Sequence, residues 1–480
     1  MPATAAPDVP KPKAIGKLPG LETFALANGL QVAVLPGDGT PVVSVQLWYR
    51  AGSKDEPRTA RGTAHMFEHL MFQGTLRSRP DAFSTAVSAL GGYVGTATDE
   101  DATHFLTTVP AAYFDYAVQF EAERMRNLLL RKPAIDADRA LMRDEIAQQN
   151  QSPFNAGLTR ILSVAYLKHP YAWNAAGNPR ELDAVTADSL KKFYDAYYQP
   201  NNALLVITGN VTVADAKAAA EKWFGPIPKA SDPPRPAQAE PAQTSRRREV
   251  VEPGPVGLTL VGWHTPDAKD KDSYPLQLAS IVLGAGEGAR LKTRLKLPDA
   301  RTKRPIALEA GTDAIVRQDP GMVIALGAYI DPAQAEVIES AIFDEVGKLA
   351  ARGPTAEELR KAKNQIQAGL VFSLENAQGL GEGLGRSWIL VGDPGQILRD
   401  FDVIEKVTAA DVQRVTRQYL TGDGATIVIV PPRTAPTAAP AARPATPPAT
   451  PPAAPAARPA APSAPSTPPA PSTPPAGKPQ

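Results

Sequence analysis

Two of the five histidines in this 480-residue chain stand four apart, His65 and His69, with Glu68 directly before the second, in the stretch GTAHMFEHLMFQGT (residues 62–75). The segment has no proline, carries Met66, Phe67, Leu70, Met71 and Phe72 as its apolar residues, and is bounded by Gly62 and Gly74, so its pattern predicts a short helix. On a helix, positions i and i+4 lie one turn apart on the same face. Two imidazoles so placed can close on one small cation, and zinc suits neutral imidazole nitrogens while keeping a position open for water. Glu68 then sits beside the metal without being a ligand, placed to take a proton from a water that the metal has acidified. The order His-x-x-Glu-His inverts the His-Glu-x-x-His arrangement of other zinc peptidases. A single histidine on an apolar helix is ordinarily a packing residue. With this composition, however, the full pattern is expected only about 0.003 times per chain.

Such a site needs a third ligand from another element. His104 alternates within a strand-like run, His169 lies beside a proline in a loop-like segment, and His264 falls in the second half of the chain. Against these stands DADRALMRDEIAQQ (residues 136–149), a helical stretch in which Asp138 and Glu145 are seven apart and share a face. Acidic helix faces are commonly just solvated, so the residue pattern alone leaves the ligand open.

From FALANGLQVAVLP through VQLWYRAGS, the histidine stretch, TATDEDATHFLTTVP and RDEIAQQ to FYDAYYQPNNALLVITGNV, the chain resembles the pitrilysin/insulinase family of zinc metallopeptidases, which includes the mitochondrial processing peptidases. The resemblance spans roughly residues 20–432. It implies one zinc ion held by His65, His69 and Glu145, Glu68 as general base, and Asp138 as a supporting acid that orients a ligand. It further implies a peptide substrate that adds a strand to the sheet edge at GTATDEDATHF, with Gly95, Thr96 and Ala97 as contacts. Gly95 stands where many members carry asparagine. In the second half the family can carry an arginine and, seven residues on, a tyrosine that bind the substrate carbonyl. Arg294 matches the arginine, whereas the tyrosine position is Arg301.

An internal repeat sets the architecture. VTADSLKKFYDAYYQPNNALLVI from Val185 aligns without a gap on VTAADVQRVTRQYLTGDGATIVI from Val407, each a helix, a turn and a β-branched strand. VVSVQLWYR has its counterpart in VGLTLVGWH. The expected fold is α+β: two homologous domains, each a mainly antiparallel sheet covered by helices, forming half of a clamshell chamber. The boundaries read as an N-terminal extension (1–19), a zinc-binding domain (20–229), an exposed linker (230–248), a homologous domain without a metal site (249–433) and a Pro/Ala-rich tail too poor in apolar surface to fold (434–480). The second copy offers LASIVLGAGEGARLKTRL in place of the histidine helix, and its glycines read as a tight turn rather than a phosphate loop.

The family's chamber has four such domains, and this chain supplies two. Because the arginine–tyrosine pair is broken here, the expected partner is a related, zinc-less subunit that keeps it, with a homodimer as the alternative. A chamber admits peptides or unfolded segments. The competing reading is a non-catalytic structural subunit, but relatives of that kind have degraded metal sites, and these positions are intact.

Composition narrows the rest. With 51 basic and 50 acidic residues the net charge is +1, so no global field favours nucleic acid. Arg246, Arg247 and Arg248 and the run RLKTRLKLPDARTKR read as solvated or linker charge. No cysteine is present, which excludes disulfides and thiol nucleophiles. No apolar run approaches the ~18 residues of a membrane span. The first 20 residues lack the apolar core, roughly 7 to 15 residues, of a signal peptide. A cytoplasmic location is expected from them, with export after removal of a leader as the alternative because ATAAPDVPKP resembles the start of a mature exported protein.

Overall fold

The computed structural model describes residues 20–433 apart from 38, 236–238, 287 and 299–302. The N-terminal extension, the Pro/Ala-rich tail and Arg301 lie outside the described residues. The first half runs β1 (Glu22–Ala25), β2 (Gln31–Pro36), β3 (Val42–Tyr49), α1 (Thr63–Leu70), α2 (Ala82–Ala89), β4 (Tyr93–Thr98), β5 (Thr103–Pro110), α3 (Phe114–Asn127), α4 (Lys132–Gln149), α5 (Pro153–Ala165), α6 (Ala187–Tyr197), β6 (Ala203–Gly209) and α7 (Val213–Phe224). Among the described residues the second half follows a similar order, with one strand fewer at its start, an added helix (α13) and no counterpart of α7: β7 (Arg247–Val250), β8 (Gly257–His264), α8 (Ser273–Gly284), α9 (Arg290–Lys296), β9 (Glu309–Ile315), β10 (Met322–Tyr329), α10 (Gln334–Arg352), α11 (Ala356–Ser373), α12 (Ala377–Val391), α13 (Ile397–Lys406), α14 (Ala409–Tyr419) and β11 (Ala425–Val430).

The repeat in the sequence is a repeat in space. Helices α6 and α14 start and end at the aligned residues, and each opens on a threonine, Thr186 or Thr408, whose hydroxyl accepts the amide of the third helical residue, Ser189 or Asp411, in a capping box. The first sheet has the order β1-β2-β6-β3-β5-β4 and the second β7-β11-β8-β10-β9. Each is antiparallel except for one parallel pair, β2 with β6 and β7 with β11. The central strands β6 and β11 are buried along their whole length, because both faces of each sheet are covered. β7 begins inside the stretch that reads as linker, and its arginines are engaged: Arg247 donates to the Val164 carbonyl and Arg248 pairs with Glu339.

The covering helices are exchanged between the halves. α5 places Ile161, Leu162 and Ala165 against Leu258, Leu260 and Val428 of the second sheet. Its repeat partner, α12, places Leu384, Trp388 and Ile389 against Ala33, Leu35, Trp48 and Val206 of the first. Glycines permit the approach: a Cβ at Gly385 would lie 2.1 Å from the Trp48 ring, and one at Gly381 2.4 Å from Gln46 Nε2. Among the described residues, no helix is long and apolar enough to cross a membrane.

Candidate metal centre

α1 carries His65 and His69 on one face, their rings 4.9 Å apart and inclined at 75°. α4 lies against α1 and delivers Glu145, whose Oε2 is 3.4 Å from His65 Nε2 and 3.6 Å from His69 Nε2. Among the described residues, these three form the group of histidine and acidic side chains able to hold a metal, their ligand atoms all within 4.8 Å of one another. His65 Nδ1 stands 3.4 Å from the Ala176 carbonyl, to which it can donate, leaving the Nε2 lone pair turned inward. Burial lowers the His69 pKa and neighbouring His65 lowers it further, against Glu145 and Glu68, which favours the neutral imidazole that binds a cation. The donor set fits zinc with one position left open.

Asp138, on the same helix as Glu145, is 3% exposed. Burial, with Asp81 and Glu145 nearby, pushes its carboxyl up to about 6. Gln73 Nε2 lies 3.5 Å from its Oδ1, while its Oδ2 and His69 Nδ1 are both buried without a partner. The crowded acids are what a divalent cation would compensate.

The N-terminus of α1 is held from outside the helix. Gly62 at its start has φ 103°, and a Cβ there would meet Leu182 at 2.9 Å. A glycine cannot cap a helix through a side chain, and the buried Glu56 does so instead, accepting from the Gly62 amide at 2.9 Å and the Ala64 amide at 2.7 Å. Burial pushes the Glu56 carboxyl up to about 8 while the two amides draw it down; in either protonation state both oxygens accept. α1 ends at Leu70, short of Gly74, and residues 71–74 turn away.

His65 and Glu68 open onto a cleft of about 400 Å³ that Ala97, Thr98, Asp99, Glu100, Gln149 and Asn174 also line. β4 is an outermost strand of its sheet, so Gly95, Thr96 and Ala97 lie along a free edge running into this cleft. Thr96 Oγ1 donates to the His104 carbonyl at 2.9 Å, and the Tyr93 ring leans to within 3.0 Å of where a Cβ on Gly95 would stand. A side chain at Gly95 would therefore require the exposed Tyr93 ring to give by a few tenths of an ångström.

Arg294 is elsewhere. On α9 it donates to Asp344 at 2.8 Å and Glu345 at 3.2 Å of α10, and it does not line the metal cleft. The three remaining histidines have structural partners. His104 stacks on Trp48 at 3.9 Å and burial lowers its pKa to about 4. His169 Nδ1 accepts the Tyr171 amide at 3.2 Å, and His264 stacks on Tyr166 at 4.7 Å.

One feature of the cleft was not legible in the sequence. The β4–β5 turn, Asp99–Asp101, forms part of its wall and also grips the second half. Asp99 pairs with Arg386 of α12, Glu100 with Arg317 at 2.8 Å, and Asp101 with Lys54 at 2.8 Å. Lys54 reaches Asp319 at 2.9 Å, and Asp101 also accepts the Gln318 amide at 3.0 Å. Burial alone would raise the Asp101 carboxyl, but Lys54, the Gln318 amide and the Tyr171 hydroxyl hold it below the usual carboxylate range. Acids in a turn read as solvated, and the partners that tie them to the second half lie more than 200 residues away.

Residues 32–178 match the family described as Insulinase (Peptidase family M16), and residues 184–366 match its companion, the Peptidase M16 inactive domain. The zinc protease PqqE of Helicobacter pylori is 28% identical over 422 residues, covering 86% of this chain and 94% of that protein. The mitochondrial-processing peptidase subunit beta of Lentinula edodes is 23% identical over 420 residues, 84% of this chain and 88% of its own. The crystal structure of a protease from Helicobacter pylori superposes with a TM-score of 0.81 at 27% identity, over 86% of this chain and all of that one. The histidine helix lies within the first matched segment, and the segment called inactive takes in much of the second repeat, which lacks the histidine pair, so the chain belongs to the insulinase family, peptidase family M16.

Proposed function

We propose that the chain is a zinc metalloendopeptidase cleaving peptides or unfolded segments. The observation that carries this reading is the convergence of His65, His69 and Glu145 within 4.8 Å beside Glu68 at the mouth of a cleft. Zinc, when bound by these three residues, polarises the scissile carbonyl and acidifies a water. Glu68, one residue before a ligand and facing the same cleft, takes the proton of the attacking water and returns it to the leaving amine. The free edge of β4 pairs with the extended substrate backbone, and Gly95, Thr96 and Ala97 hold it in register toward the cleft. Asp138, two turns before Glu145 on α4, is the acid that would steady the ligand set. The zinc protease name of the Helicobacter pylori relative supports the metal, and the word "subunit" in the mitochondrial relative's name supports a two-chain assembly.

Arg294 is committed to Asp344 and Glu345, which favours a related partner that supplies the arginine–tyrosine pair over a homodimer. The test is metal analysis together with cleavage of a quenched peptide library, by the chain alone and mixed with such a partner. One zinc per chain and cleavage chiefly in the mixture is the expected result. Full activity of the chain alone refutes the partner, and a chain that takes up no zinc refutes the reading.

A further inference from the structure

We propose that Glu56 is a positioning residue of the metal centre: it fixes the pitch of α1 and thereby where His65 and His69 stand relative to Glu145. The inference rests on the zinc reading of the same cleft. Glu56 is 6% exposed and each of its oxygens accepts one amide of the helix's first turn, Gly62 N at 2.9 Å and Ala64 N at 2.7 Å. Ala64 is the residue before His65, so a shift of that amide passes directly to the first ligand. An eight-residue helix is about 12 Å long, so a tilt of about 5° at its start moves its far end by about 1 Å. His69, near that end, takes most of the displacement while His65, near the start, takes little, so the two imidazoles shift unequally relative to Glu145, which stands 3.4 and 3.6 Å from them on a different helix.

Glu56 can act as a fixed point because its two predecessors are anchored independently of α1. Lys54 binds Asp101 at 2.8 Å and Asp319 at 2.9 Å. Asp55 accepts the Gly52 amide at 3.0 Å and pairs with Arg235 at 2.7 Å. The helix hangs from this segment, because Gly62 offers no side-chain cap of its own.

Glu56→Gln tests this with little change of volume: its oxygen still accepts one amide, while its NH2 faces the other N–H and cannot accept. Asp272→Asn is the control, since it weakens the pair of buried Asp272 with Arg414 in the second half without touching α1. The readouts are zinc affinity by chelator competition and the visible d–d spectrum of the cobalt-substituted chain, with thermal melting alongside. For Glu56→Gln the expected result is an altered cobalt spectrum and a zinc affinity lower by about 10- to 100-fold, with both unchanged in Asp272→Asn. If Glu56→Gln melts lower but binds zinc as the wild type does and keeps its cobalt spectrum, Glu56 is only a structural cap and the proposal fails. If Glu56→Gln does not fold, Glu56→Asp, which retracts both oxygens by one methylene, is read against the same outcomes. A wild-type chain that binds neither zinc nor cobalt overturns the metal reading itself, and the positioning role with it.

Discussion

Gly385→Ala puts a single methyl group between the halves of the molecule. The new Cβ would lie 2.1, 2.2 and 2.5 Å from three atoms of the Trp48 ring, where carbon atoms rest at about 3.5–4.0 Å. The ring has nowhere to go. Its Nε1 donates to Gln46 at 3.1 Å, its opposite face stacks on His104 at 3.9 Å, and only 3% of the residue is exposed. α12 must lift, loosening Leu384, Trp388 and Ile389 from the first sheet. Helix propensity works the other way, since alanine is favoured over glycine by about 1 kcal/mol. Overpacking costs about 1–3 kcal/mol, and an overlap above 1 Å on an immobile ring belongs at the top of that range, so a net loss of about 2 kcal/mol is expected. Gly369→Ala on α11 is the control: a Cβ there meets nothing within 4 Å, and the propensity gain of about 1 kcal/mol should appear alone. Urea unfolding with a constant m-value reads both. If Gly385→Ala is as stable as Gly369→Ala, α12 does not rest on Trp48 and the exchange of helices between the halves is wrong.

Three further outcomes follow from named contacts. Lys54→Met removes the cation between Asp101 and Asp319 and should cost about 3 kcal/mol at pH 7. Asp101 is depressed in the folded chain, so the stability it contributes is present above its unfolded pKa and lost as pH falls through the lower folded value. The gap between variant and wild type in denaturant titrations should therefore close below about pH 4; a gap unchanged at pH 3 would refute the pairing. Arg124→Met strands Glu121, whose carboxyl is fully buried with it, and should cost about 3–5 kcal/mol, most of it recovered when Glu121 is also replaced by Met; equal losses in the single and double variants would show the pair is not what matters. Zinc at 100 times its dissociation constant should stabilise the chain by about 2.7 kcal/mol, and His69→Ala should abolish that gain in thermal melts.

The site was legible where one element carries the pattern. The four-residue spacing of His65 and His69 forces them onto one face of whatever helix forms, and the seven-residue spacing of Asp138 and Glu145 does the same on α4. The repeated α6 and α14 were legible for the same local reason, whereas the edge position of β4 came from the family resemblance. What joins distant residues was not. Periodicity shows that α5 and α12 each have an apolar face, but not that each face is buried by the other half's sheet. Gly385 reads as a weak helix residue until Trp48 is placed opposite it. Glu56 sits among charged loop residues, and its role depends on two amides of a helix whose start carries no side-chain cap. Arg294 fits the family's arginine by alignment, yet Asp344 and Glu345, some 50 residues on, hold it in a cluster of their own.

In the proposed mechanism Glu68 moves the proton in a site whose metal is held by other residues. Glu68→Gln in the zinc-loaded chain, assayed with its partner on the quenched peptide library, separates the two roles. Retention of one zinc per chain with a fall in kcat of about 10²–10⁴ is the predicted result. Cleavage at the wild-type rate by Glu68→Gln would contradict it.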